Sequence, residues 1–84
     1  MQIHKQIRSQ RNQMGLSQEE LAEEIFVSRQ SISNWERGSN YPDLDSLLAL
    51  STLFEISLDQ LVKGDIDIMK EKIESGLIRE FENL

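Results

Sequence analysis

The sequence predicts an all-α fold: five short helices followed by a C-terminal amphipathic helical extension. Three observations carry this. Apolar residues recur at helical spacing, as in Ile3 and Ile7 or Leu21 and Ile25, and no segment alternates as a strand would. Ser-x-x-Glu/Gln sequences open two segments, at Ser17–Glu20 and Ser57–Gln60, in the pattern of a capping box. Turn-forming residues (Gly15, Gly38, Pro42 and Gly64) fall between the periodic segments.

The elements follow in order. Residues 2–13 place Ile3 and Ile7 on one side, with Met14 extending it, among Lys, Arg and Gln; Gly15 ends the helix as a left-handed cap. Ser17 opens a second helix that carries Leu21, Ala22 and Ile25 on one side, and its acidic first turn suits the positive end of the helix dipole. After a short turn at Phe26 and Val27, Ser28 caps a third helix, which stops at Gly38. Ser39 to Pro42 form a loop, and Asp43 caps the fourth helix. Leu44, Leu47, Leu48, Leu50 and Phe54 make that helix apolar over a wide arc, as expected of the central core helix. The second capping box opens a helix of one to two turns that ends at Gly64. These five helices are expected to form one domain over residues 1–64.

Residues 65–84 differ in character. Ile66, Met69, Ile73, Leu77, Phe81 and Leu84 form an amphipathic stripe, and Asp65 and Asp67 favour its N-terminal end. Two readings stand side by side: a final helix folded onto its own domain, or a dimerisation segment able to meet a protein partner.

Composition narrows the function. With no cysteine, neither a disulfide nor a thiolate metal site is possible, which fits a reducing cytoplasm. No apolar stretch approaches the roughly 18 residues of a membrane span, and the N-terminus lacks a signal-peptide pattern. The single histidine, His4, has no nucleophile paired with it and is expected to be solvated; there is no glycine-rich phosphate loop. Glu19, Glu20, Glu23 and Glu24 read as a solvated helix face, since no loop converges them on a metal. The expectation is no enzyme, no cofactor and no metal.

The net charge of −6 argues against a generic nucleic-acid binder. Its distribution is uneven: residues 1–43 carry a balance of −1 and residues 44–84 one of −5. Lys5, Arg8, Arg11, Arg29 and Arg37 are left to form a local positive face, and charges beyond about 10 Å are largely screened at 0.1 M salt.

The third helix explains why that matters. At about 3.6 residues per turn, Arg29, Gln30, Ser33 and Asn34 share one face, while Ile32 and Trp35 form an apolar side suited to a core. Arg pairs with guanine, and Asn or Gln with adenine, in the major groove of DNA. Residues 17–37 hold this helix and its predecessor across a turn too tight for antiparallel packing, with small Ala22 allowing close approach: a helix-turn-helix. Ser31 is short enough to let backbone approach phosphate.

The strings Gly15-Leu16-Ser17-Gln18-Glu19-Glu20-Leu21-Ala22 and Val27-Ser28-Arg29-Gln30-Ser31-Ile32-Ser33-Asn34-Trp35-Glu36-Arg37-Gly38, then Pro42, resemble the Cro/lambda-repressor-like (XRE-type) helix-turn-helix family of bacterial and phage transcriptional regulators. Phe54 to Leu61 resembles the closing helix of that five-helix fold; residues 65–84 lie outside the likeness. The resemblance implies that Arg29, Gln30, Ser33 and Asn34 contact bases, and that Gln18 touches a phosphate and steadies the reading helix. Asn40 and Tyr41 fall where the family grips phosphate, and Ser28, Ser31, Arg37 and Arg8 join them as expected phosphate contacts. Arg11 and Glu36 fall where members carry a partly buried ion pair. One departure stands out: Phe26 occupies a turn position that is often glycine.

Together these point to a cytoplasmic, sequence-specific regulator of double-stranded DNA, a repressor acting as a homodimer on a pseudo-palindromic operator. The alternative is a helix-turn-helix protein-interaction module, such as an antitoxin-like partner, which the acidic second half and residues 65–84 motivate.

Overall fold

The computed structural model describes residues 2–65, and the expected helix over residues 66–84 lies outside the described residues. Among them are five helices: α1 (Gln2–Gln13), α2 (Gln18–Glu24), α3 (Arg29–Glu36), α4 (Leu44–Phe54) and α5 (Leu58–Leu61). Each of α2 to α5 begins on a side-chain cap. Ser17, Ser28, Asp43 and Ser57 accept from the backbone N–H three residues on, satisfying a donor the helix itself cannot. At Ser17 and Ser57 the capping box is closed, with the Glu20 and Gln60 side chains accepting from the cap residue's N–H.

Among the described residues, helix α1 has no such local cap. Instead Asp65, 62 to 63 residues away in sequence, accepts from the backbone N–H groups of Gln2 and Ile3 at 3.0 and 2.9 Å. A carboxylate here also meets the positive end of the α1 dipole. Asp65 is buried, and its carboxylate serves the first turn of α1.

Four helix ends share one stop. The backbone N–H groups of Leu16, Val27, Ser39 and Ile56 donate to the carbonyls of Arg11, Ala22, Asn34 and Ser51, five residues back. Each such bond requires a left-handed residue just before its donor. Gly15 and Gly38 supply two of these without strain; Phe26 (φ 59°) and Glu55 (φ 55°) do so against the Cβ clash that disfavours this region.

The core gathers Ile3 and Ile7 of α1, Leu21 and Ala22 of α2, and Ile32 and Trp35 of α3. Leu47, Leu50 and Phe54 of α4 complete it with Leu61 and Val62 at the end of α5. Helices α2 and α3 pack on one another, and α1 lies across α3, α4 and α5. Three side chains depart from the sequence expectation. Met14 and Leu48 are about half exposed, because the apolar arcs of α1 and α4 are wider than the faces their neighbours cover. His4 is half-buried rather than solvated, with its Nδ1 enclosed and unpartnered.

A candidate nucleic-acid interface

The cap on Ser28 sets where α3 starts, and the burial of Ile32, Trp35 and Glu36 sets which side turns inward. Arg29 and Gln30 are exposed; Ser33 and Asn34, one turn on, are half-buried on the outer side. The structure thus brings the four residues expected from the sequence to contact bases onto one accessible side of α3. Ser28 and Ser31 share a hydroxyl–hydroxyl hydrogen bond of 3.0 Å at its start.

Beneath this face lies a buried carboxylate. The Glu36 side chain is 1% exposed, and Arg11 donates to it through Nε and Nη2 at 2.7 and 3.0 Å. Arg11 Nη1 also donates to the Leu16 carbonyl, which ties the end of α1 to the approach to α2. Gln18 adds a donor to Glu36 at 3.3 Å, and the half-exposed Arg8 reaches the same carboxylate and the Glu36 carbonyl at 3.4 Å. Burial pushes the Glu36 carboxyl up, but the hydrogen bonds from Arg11, Gln18 and Arg8 and the Arg11 charge outweigh it and hold it below the usual carboxylate range. The hydrogen bond to Glu36 holds the Arg11 guanidinium above its ordinary value against the opposing effect of burial. This cluster joins α1, α2 and α3 at one point.

Gln18 relays that point outward. Its amide N–H₂ faces Glu36, and its Oε1 faces Arg29 Nη1 at 3.5 Å. Glu36 therefore orients Gln18, and Gln18 presents an acceptor to the first exposed arginine of α3.

A second network lies on the surface. Gln30 Nε2 donates to Asn34 Oδ1 at 3.0 Å, Arg37 Nη2 donates to the same oxygen, and Arg37 Nε donates to the Ser33 carbonyl at 3.3 Å. Asn40 is exposed in the loop after α3. Tyr41 is half-buried, with its hydroxyl donating to Asp65 at 3.4 Å; burial and that carboxylate push its ionisation well above the ordinary range.

Of the residues picked out from the sequence, Arg29, Gln30, Ser33, Asn34, Ser28, Ser31, Arg37 and Gln18 thus sit together on or beside the outer side of α3. Arg8 and Tyr41 stand apart from it, turned partly toward Glu36 and Asp65. The residue missed was Asp65: only the lack of a capping residue ahead of Gln2 signalled that something must serve α1. The Gln30–Asn34–Arg37 network was also missed, although spacings of four and three on a helix are those at which side chains meet.

No helix among the described residues is long and apolar enough to cross a membrane. A model of the helix-turn-helix family matches residues 7–61. The chain is 38% identical over 65 residues to the HTH-type transcriptional activator BcrR of Enterococcus faecalis, covering 77% of this chain and 32% of that protein. It is 31% identical to the HTH-type transcriptional regulator ImmR of Bacillus subtilis, covering 92% and 66%. It is 40% identical to repressor protein C2 of Salmonella phage P22, covering 71% and 28%. The chain therefore spans less than two thirds of these relatives' own lengths. A crystal structure of the P22 c2 repressor with a synthetic operator superposes with a TM-score of 0.71 at 36% identity, covering 76% of this chain and 97% of that one.

Proposed function

From the premise that the chain belongs to the Cro/lambda-repressor-like helix-turn-helix family, we propose that it is a sequence-specific transcriptional regulator that places α3 in the major groove of double-stranded DNA. The observation that carries this is the division of α3: Ile32, Trp35 and Glu36 are locked inward, while Arg29, Gln30, Ser33 and Asn34 face out with donors and acceptors suited to base edges. In this reading the phosphate-gripping set is Gln18, Ser28, Ser31 and Arg37 beside that face, Asn40 in the loop after it, and Arg8 and Tyr41 farther off, where they reach Glu36 and Asp65. The relatives named above are regulators and a repressor, so the chemistry is recognition and not catalysis.

The protein acts as a homodimer on a pseudo-palindromic operator and represses by occluding a promoter. A single reading helix on an acidic chain gains little from phosphate attraction, so two half-sites about one helical turn apart supply the missing affinity. The test is fluorescence anisotropy with random duplex DNA at low salt, followed by site selection. A regulator enriches a two-fold symmetric sequence whose affinity collapses when the half-site spacing changes by half a turn. A folded protein that enriches no sequence refutes the proposal.

A further inference from the structure

We propose that Asn34 is a positioning residue, and that with Arg37 it holds Gln30 ready to read one adenine. This rests on the reading that α3 enters the major groove.

The argument begins with Arg37, whose guanidinium can only donate. Its Nε is anchored on the Ser33 carbonyl at 3.3 Å, and its Nη2 faces the Asn34 amide. The Asn34 atom on that side must therefore be the carbonyl oxygen. Gln30 meets the same oxygen at 3.0 Å, so it must turn its own N–H₂ inward. One arginine thus fixes the sense of two amides, each of which would otherwise be free to flip.

The consequences for the two amides differ. Adenine offers an N–H donor at N6 beside an acceptor at N7, and an amide pairs with both only if its oxygen and one N–H are free. The Asn34 oxygen is already taken twice, so Asn34 lacks the acceptor that bidentate pairing needs. Gln30 has given up one of two N–H bonds and keeps Oε1 together with the other N–H. It is the exposed amide of the pair and retains the full adenine pattern. Holding it in place before DNA arrives lowers the ordering cost of binding.

The experiment compares base preference at every operator position for the full chain and for R29A, Q30A, N34A, N34D and R37M, using selected duplexes in competition binding, with thermal melts showing that each variant folds. Q30A should abolish an adenine preference of about 5- to 150-fold at one position, the range of a bidentate pair. N34A and R37M should weaken preference at that same position. N34D should keep it, because a carboxylate still accepts from Gln30 and Arg37, although its charge lowers affinity for all sequences alike. Loss of a separate position in N34A, or loss of the Gln30 position in N34D, would overturn the proposal while leaving the groove reading intact. If R29A, Q30A and N34A all leave every position unchanged, the groove reading itself fails.

Discussion

Replacing Arg11 with methionine tests the cluster that joins the first three helices. The substitution keeps most of the apolar stem but removes the charged donors at 2.7 and 3.0 Å from a carboxylate that is 1% exposed. It also leaves the Leu16 carbonyl without the Arg11 donor. Breaking a buried pair on one side costs about 3–5 kcal/mol, because the remaining charge is left uncompensated. Arg8 and Gln18 still reach Glu36, at 3.4 and 3.3 Å, which puts the expected cost near the lower end, about 3 kcal/mol. Single domains have about 5–15 kcal/mol in all, so this is a large share. At about 4–8 °C per kcal/mol, the melting temperature should fall by about 12–24 °C. Urea unfolding followed by circular dichroism gives the free energy directly.

Two controls separate a lost pair from lost packing. In Arg11→Met with Glu36→Leu no charge is stranded, so much of the stability should return. The pH dependence has a definite sign. The folded-state pKa of Glu36 is depressed, so its contribution is present above the unfolded value, about 4.3, and is lost as pH falls through the lower folded value. In Arg11→Met the carboxylate loses its main support, and its protonation relieves the cost. The gap from the native protein should therefore narrow as pH falls through the carboxylate range. A cost below about 1 kcal/mol at neutral pH, or a gap that does not change with pH, would refute the reasoning.

Phe26→Gly should stabilise the protein. Phe26 is 95% exposed, so little packing is lost, and relief of about 1–2 kcal/mol of left-handed strain outweighs the roughly 0.5–1 kcal/mol of added chain entropy. The urea midpoint should rise with an unchanged slope, and a lower midpoint would mean that Phe26 makes contacts its exposure does not suggest. Asp65→Ala should cost about 0.5–2 kcal/mol by uncapping α1, with faster amide exchange concentrated in its first turn. Unchanged exchange at Ile3 would show that the cap contributes nothing.

The two capping boxes, the left-handed end at Gly15 and the inward side of α3 follow from residues within a few positions of one another, so the sequence alone determines them. Helix periodicity and capping are local physics: Ser17 needs only Glu20, and Ile32 with Trp35 need only the helical repeat to share a side. The same logic extends to the outer face of Arg29, Gln30, Ser33 and Asn34, which is defined once the inner side is known. What it does not reach is any partner on another element. That Leu48 lies outside the covered arc of α4 depends on how far the neighbouring helices extend over it. That Arg8 and Gln18 join Arg11 on Glu36 depends on where α1, α2 and α3 cross. The capping of α1 by Asp65 was decided by tertiary structure for the same reason: about 60 residues of chain must fold before that carboxylate meets the first turn.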